Sequence, residues 1–334
     1  MKISVAMGTY NGENYIKKQL DSILNQSLMV DEIIICDDGS KDNTIEIIKK
    51  YIKTSPVSIK LFQNQKNLGV VNNFKKVFSK CSGDIIFLCD QDDIWVKNKV
   101  EFIVNEFNKN KKINMIGTNA LLIDQDDNSM NNNLWDFVGY KWEKDNYKTN
   151  YRIQLKKAIL TGATAAARGE FVKKFMTTSK YVIHDYWLAQ CASITDSLLM
   201  IDENLTLYRQ HSNNVVGVKK RNILKYYFEK ILKVKSKYNF YTKNYNQYLE
   251  LYNYFIDNNI KIGKNEEYLK NCIYFWSVRS NLVKYSFSEL LNELKKLKNQ
   301  KLYEKYSSKR QSLCIIFDIY YYCVLKLNGV KKYD

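Results

Sequence analysis

Asp84-Ile85-Ile86-Phe87-Leu88-Cys89-Asp90-Gln91-Asp92-Asp93 decides how this chain is read. The apolar run is short and reads as a strand buried on both faces. Three carboxylates then crowd into four positions. Like charges that close repel and raise one another's pKa, so the cluster calls for a positive partner. Mg²⁺ or Mn²⁺ fits: both take hard oxygen ligands, keep waters and bridge to substrate phosphates. The plainer alternative is a solvated acidic turn ahead of a helix over 97–107. A place at the carboxyl end of a strand in an α/β pattern favours the first reading, because ligands of open α/β sheets bind there.

Working outward, the same alternation recurs. Ile3-Ser4-Val5-Ala6-Met7 reads as a first buried strand, broken by Gly8-Thr9-Tyr10-Asn11-Gly12, with a helix after it at Tyr15, Ile16, Gln19, Leu20, Ile23 and Leu24. Glu32-Ile33-Ile34-Ile35-Cys36 is a second strand ending in Asp37-Asp38-Gly39-Ser40. Next come a helix bearing Ile45, Ile48, Tyr51 and Ile52, and a third strand on Val57, Ile59 and Leu61. Asn67-Leu68-Gly69 leads into a helix on Val70, Phe74, Val77 and Phe78. Strands alternating with helices predict a mostly parallel, Rossmann-like sheet flanked by helices. Three polar clusters, Thr9-Tyr10-Asn11, Asp37 to Ser40 and Asp90 to Asp93, then fall at strand ends that one crevice collects. No GxGxxG follows the first strand and no GxxxxGK[ST] occurs, which disfavours a dinucleotide-binding domain and a P-loop.

Further on, 114–124 reads as a strand and 126–133 as a polar loop. Residues 156–167 hold small residues, Leu160-Thr161-Gly162-Ala163-Thr164, where a ligand or backbone comes close. The only two histidines lie in His184-Asp185-Tyr186-Trp187 and in Leu207-Tyr208-Arg209-Gln210-His211.

Of 334 residues, 45% are hydrophobic, enough for one large core with an appendage. The formal charge of +17 is uneven. From Lys219 onward 24 basic residues face 10 acidic ones, against 28 and 25 in the first 218. Two regions are therefore expected: a near-neutral α/β domain over 1–218 and a basic, mainly helical region over 219–334. In the latter, 221–237 and the aromatic run 313–327, broken by Asp318 and Lys326, have the make-up of segments that lie on an anionic membrane surface. A solvated basic face or an oligomer interface would look similar. No apolar stretch reaches the ~18 residues of a spanning helix, and no secretory signal precedes the first strand. The seven cysteines show no CxxC pair and read as buried free thiols of a reducing compartment.

Together, Ser4 to Gly12, Asp37-Asp38-Gly39-Ser40-Lys41-Asp42-Asn43-Thr44, Asn67-Leu68-Gly69, Asp90-Gln91-Asp92-Asp93-Ile94-Trp95, His184-Asp185-Tyr186-Trp187 and Tyr208-Arg209-Gln210-His211 resemble the family 2 inverting glycosyltransferases of the GT-A fold. The likeness covers about residues 1–217 and fades beyond, by motif reading. The Asp-Gln-Asp-Asp-Ile-Trp and His-Asp-Tyr-Trp forms look most like bacterial rhamnosyltransferases of cell-wall and capsule polysaccharide synthesis.

The resemblance implies roles. Thr9, Tyr10 and Asn11 would lie along the nucleoside, with Asp37 accepting from the pyrimidine N–H and Asp38 and Asn67 beside it. Asp90 and Asp92 match the family's DxD acids. Asp92 would bind Mn²⁺ or Mg²⁺ directly, Asp90 would hold ribose or a metal-bound water, and His211 would be the second protein ligand. Asp185 would be the general base. The chain departs from the family in having His184 where Glu is frequent, and it lacks the Gln-x-x-Arg-Trp signature of processive synthases, which favours a distributive enzyme.

The implied donor is dTDP-L-rhamnose, with a UDP-hexose as the alternative. The implied acceptor is a lipid-linked or polysaccharide hydroxyl at the inner face of the cytoplasmic membrane. The charge also raises a nucleic-acid-binding protein. Against it, the excess lies outside the α/β part and no nucleic-acid motif appears, so no nucleic-acid partner is expected.

Overall fold

In a computed structural model, residues 1–140, 154–155, 157–176, 179–211, 234–307 and 311–327 are described. The chain forms two compact units, Met1–Val218 and Lys219–Asp334.

The first unit is built on one mixed sheet. Its strands among the described residues are β1 (Ile3–Thr9), β2 (Glu32–Asp37), β3 (Ser58–Gln63), β4 (Ile85–Cys89), β5 (Ile94–Trp95), β6 (Met115–Ile123), β7 (Ser129–Asn133), β8 (Ala165–Arg168) and β9 (Leu198–Arg209). They run in the order β3-β2-β1-β4-β8-β6-β9-β5, with β7 paired to β6 outside that path. Flanking helices are α1 (Ile16–Leu24), α2 (Thr44–Thr54), α3 (Val70–Lys80), α4 (Lys99–Lys109), α5 (Leu134–Phe137), α6 (Gly169–Phe175) and α7 (His184–Ile194). β1 to β4 are parallel, and every residue of β2 and β4 is buried, because helices cover both faces.

Register positions the site. Thr9 pairs with Asp37, and Met7 with Cys89. The next residues, Tyr10, Asp38 and Asp90, therefore emerge along one edge. β8 runs antiparallel to β4, with Phe87 opposite Ala166, so the turn that precedes β8 lies beside the carboxyl end of β4. β9 pairs with β5, Leu207 opposite Ile94, which returns the end of β9 to the acidic loop.

The expected polar loop over 126–133 is instead partly strand. Ser129–Asn133 closes a hairpin onto β6. Asp124 caps the turn by accepting from the N–H groups of Asp126 and Asn128. A polar edge strand carries no apolar alternation to reveal it.

The second unit is helical: α8 (Val234–Asp257), α9 (Glu266–Ser280), α10 (Phe287–Asn299), α11 (Leu302–Tyr306) and α12 (Gln311–Leu327). Asp318, expected to break an apolar surface segment, sits at its centre. It is fully buried with Arg279 2.8 Å away and accepts from Tyr241 and Tyr303. Cys314, Asp318, Tyr321 and Leu325 form the inward stripe of α12. No described helix is long and apolar enough to cross a membrane. Most of the 221–237 segment lies outside the described residues. All seven cysteines are free and six are buried, Cys323 being exposed.

Candidate active site

A cavity of about 600 Å³ opens at the carboxyl ends of β1, β2 and β4. Thr9, Tyr10, Asn11, Asp38, Asn67, Asp90, Asp92, Asp185 and His211 line it. Asp37 does not.

The two neighbouring aspartates divide their work. Asp37 Oδ1 accepts from the N–H groups of Gly39 and Ser40, and Oδ2 accepts from Thr9 Oγ1 (2.8 Å) and Ser40 Oγ (2.5 Å). A carboxylate offers about four lone-pair sites, so Asp37 is filled by its own turn. Asp38 accepts from Asn64 and from the N–H groups of Leu68 and Gly69, which leaves one site over the cavity. Asp38 thus faces the cavity with acceptor capacity to spare, whereas Asp37, expected to accept from the pyrimidine N–H, lies outside the cavity lining with its acceptor sites filled.

The loop after β1 is clamped to the acidic loop. Gln91 accepts from Tyr10 N–H at 2.8 Å and donates to Tyr10 C=O at 2.9 Å. A Cβ on Gly12 would come 2.3 Å from the Gln91 side-chain amide, so any larger residue there would push that amide out of its place. Asn11, in the left-handed region at φ 47°, accepts from Lys41 N–H and ties the loop to the Asp37 turn. Tyr10 is left exposed on the cavity wall.

Residues 119 positions apart meet at the acidic loop: His211 Nε2 lies 2.9 Å from Asp92 Oδ2. Arg209 makes that approach rigid. Its N–H donates to Asp93, its guanidinium donates to the Asp92 carbonyl at 2.7 Å, and it pairs with Asp127. Tyr15 stacks on His211 at 5.0 Å. Asp90 is pushed up to about 8 by burial, then by the charges of Asp92 and Asp185. Asp93 is raised well above the carboxylate range by burial, then by the charges of Asp92 and Asp90, and its Oδ2 has no partner among the described residues.

Among the described residues no three His, Cys, Asp or Glu side chains converge as a ready-made metal cage. The donor set nevertheless suits Mg²⁺ or Mn²⁺, which bind through one or two protein ligands and complete their shell with waters and phosphates. Asp92 and His211 would supply two such ligands at one point, beside the carboxylates of Asp90 and Asp93.

Asp185 sits in the first turn of α7, where the helix dipole favours an anion. Oδ2 accepts from Gly162 N–H at 2.7 Å and Oδ1 from Tyr186 N–H at 2.6 Å. The small-residue segment 160–164 is thus where backbone comes close to a carboxylate. Lys99, which the sequence reading passed over, is fully buried beneath this floor. It donates to Ala163 C=O at 2.7 Å and to Thr206 Oγ1 at 2.9 Å, fixing the turn that holds Asp185. Burial lowers it to about 8. A lysine at a helix start looks solvated in sequence, so only tertiary packing reveals it.

His184, also unassigned above, is buried, with neither ring nitrogen hydrogen-bonded among the described residues. Leaving buried polar atoms unpaired costs about 1–3 kcal/mol.

An α/β sheet whose parallel strand ends carry a carboxylate cluster, an exposed tyrosine and an imidazole around one cavity is a GT-A-like fold. Staphylococcus aureus TarS (residues 1–349, solved with UDP-GlcNAc) shares it, with a TM-score of 0.58 at 15% identity over 98% of this chain and 92% of that one. The chain belongs to glycosyl transferase family 2, which matches residues 4–175. It is similar to the putative glycosyltransferase EpsE of Bacillus subtilis, 36% identical over 124 residues, or 37% of this chain and 45% of EpsE, so less than half of that relative is spanned. It is also similar to the dTDP-rhamnosyl transferase RfbG of Shigella flexneri, 30% identical over 224 residues, or 63% of this chain and 73% of RfbG.

Proposed function

We propose that the protein transfers a sugar from a nucleoside diphosphate donor to an acceptor hydroxyl in one inverting displacement. The observation that carries this reading is the meeting of His211 and Asp92 at 2.9 Å on the cavity that Asp185 also lines.

In this reading Tyr10 covers the nucleobase, Asp38 accepts its N–H, and Asn11 and Asn67 border the nucleoside. Asp92 and His211 would hold a divalent cation, with Asp90 beside it at the ribose or a bound water. That cation, when present, supplies positive charge to the departing diphosphate. Asp185, fixed by two backbone N–H groups, takes the proton of the attacking hydroxyl. The acceptor oxygen bonds to the anomeric carbon as the bond to phosphate breaks and its electron pair leaves with the diphosphate. Inversion needs no second carboxylate nucleophile.

The donor we propose is dTDP-L-rhamnose, supported by the motif forms and by the extent of the RfbG likeness. The acceptor is a lipid-linked or polysaccharide glycan. The basic helical unit touches an anionic leaflet from the cytoplasmic side. Phe287, Leu291, Lys295 and Lys298 support this, as an exposed stripe at helical spacing on α10. Cosedimentation with phosphatidylglycerol vesicles tests the last point; equal recovery with neutral phosphatidylcholine vesicles refutes it.

The donor test is release of nucleoside diphosphate from a panel of dTDP- and UDP-sugars with Mn²⁺. Turnover of dTDP-rhamnose alone is expected. Turnover of UDP-hexoses instead would assign the alternative donor, and release from none would contradict the reading.

A further inference from the structure

His184 is 8% exposed, and neither Nδ1 nor Nε2 has a hydrogen-bond partner among the described residues. Its ring lies flat on Phe74, centroids 3.8 Å apart and planes 15° apart, with Phe78 edge-on at 5.8 Å. The ring is therefore held in one orientation while its polar atoms are buried without a partner among the described residues. The residue borders the cavity, together with Val70, Phe74 and Ile183. Gly162 locates the imidazole further. A Cβ built there would lie 3.5 Å from Asp185 Oδ2 and 3.7 Å from His184 Nε2. Both polar atoms thus flank the same spot beside Gly162, itself a residue of the cavity lining.

An imidazole lowered in pKa by burial is neutral, with one nitrogen donating and the other accepting, and a hydroxyl satisfies either. One sugar ring presents vicinal hydroxyls a few ångströms apart together with an apolar C–H face. Asp185 beside His184 matches such a hydroxyl pair, and Val70, Phe74 and Ile183 match the apolar face. Resting on the function proposed above, we infer that His184 is a specificity-determining residue that binds the acceptor-sugar hydroxyl next to the one Asp185 deprotonates. The acceptor is accordingly a pyranoside with a free vicinal diol.

The test uses the full chain with Mn²⁺ and the donor it turns over. Methyl α-L-rhamnopyranoside, methyl β-D-glucopyranoside and their monodeoxy counterparts serve as acceptor probes. The readout is the ratio of acceptor kcat/KM between each glycoside and its deoxy analogues. Wild type should discriminate at least about tenfold at one hydroxyl beside the nucleophile, because a site built to bind a hydroxyl rejects the analogue that lacks it. His184→Phe keeps a ring on Phe74 and removes both nitrogens, so it should bring that ratio to about one while leaving donor Kd unchanged. His184→Gln restores a polar group and should recover part of the ratio. A His184→Phe ratio equal to wild type, or no discrimination by wild type at any neighbouring hydroxyl, overturns the inference alone. No transfer by wild type to any probe from any donor overturns the function it rests on as well.

Discussion

Both units bury carboxylates, and Asp318 of the helical unit and Asp93 of the α/β unit are treated in opposite ways. In the helical unit, Asp318 accepts from Tyr241, Tyr303, and Arg279 through both Nε and Nη2. In the catalytic unit, Asp93 Oδ2 and both nitrogens of His184 lack partners among the described residues, and Asp90 is pushed up to about 8. A satisfied buried charge organises a fold, whereas an unsatisfied one is an energetic debt that a bound ligand removes.

The largest expected effect lies in the catalytic unit. Asp185→Asn should lower turnover by roughly 10²–10⁴-fold, the share of a general base, with donor Kd unchanged by calorimetry. Wild-type turnover would remove Asp185 from the chemistry.

In the helical unit, Asp318→Asn should destabilise by about 3–5 kcal/mol, because it strands the Arg279 guanidinium in a buried site. Urea unfolding followed by tryptophan fluorescence reads this through Trp276, which lies 5.3 Å from that guanidinium. The double variant Arg279→Met/Asp318→Leu should recover most of the loss, since apolar replacement of a whole buried pair is often near-neutral. A double variant as unstable as the single one would break the comparison.

Gln91→Ala removes two hydrogen bonds to Tyr10 that span the nucleoside and acidic loops. At about 1 kcal/mol each, donor affinity should fall by up to roughly thirtyfold with little change in unfolding midpoint. The smallest effect belongs to Ser286, whose side chain and Glu289 form the capping box of α10. Ser286→Ala should cost about 1 kcal/mol, well below Asp318→Asn in the same unit.

Much of this was legible in the sequence. Apolar runs followed by polar clusters placed β1, β2 and β4 and the edge on which the site lies. Other features were not. β2 is buried on both faces, so no alternation distinguishes Asp37 from Asp38; only the turn that fills Asp37 does. Asp318 looked like an interruption because hydropathy sees a charge and not its partners on three other helices. Lys99 and His184 are polar in sequence and buried in the fold, a state set by residues far away in the chain. The pairing of His211 with Asp92 spans 119 positions and had no local signal; family resemblance alone pointed to it.

The central claim is that Asp92 and His211 act as one unit on the cation-bound donor. Calorimetric titration of dTDP and UDP, with Mn²⁺ and with EDTA, into wild type, Asp92→Ala, His211→Ala and the double variant tests it directly. Mn²⁺ should strengthen wild-type binding, either single change should remove that gain, and the double change should remove no more than one does. Equal affinity in Mn²⁺ and EDTA, or losses that simply add, would contradict it.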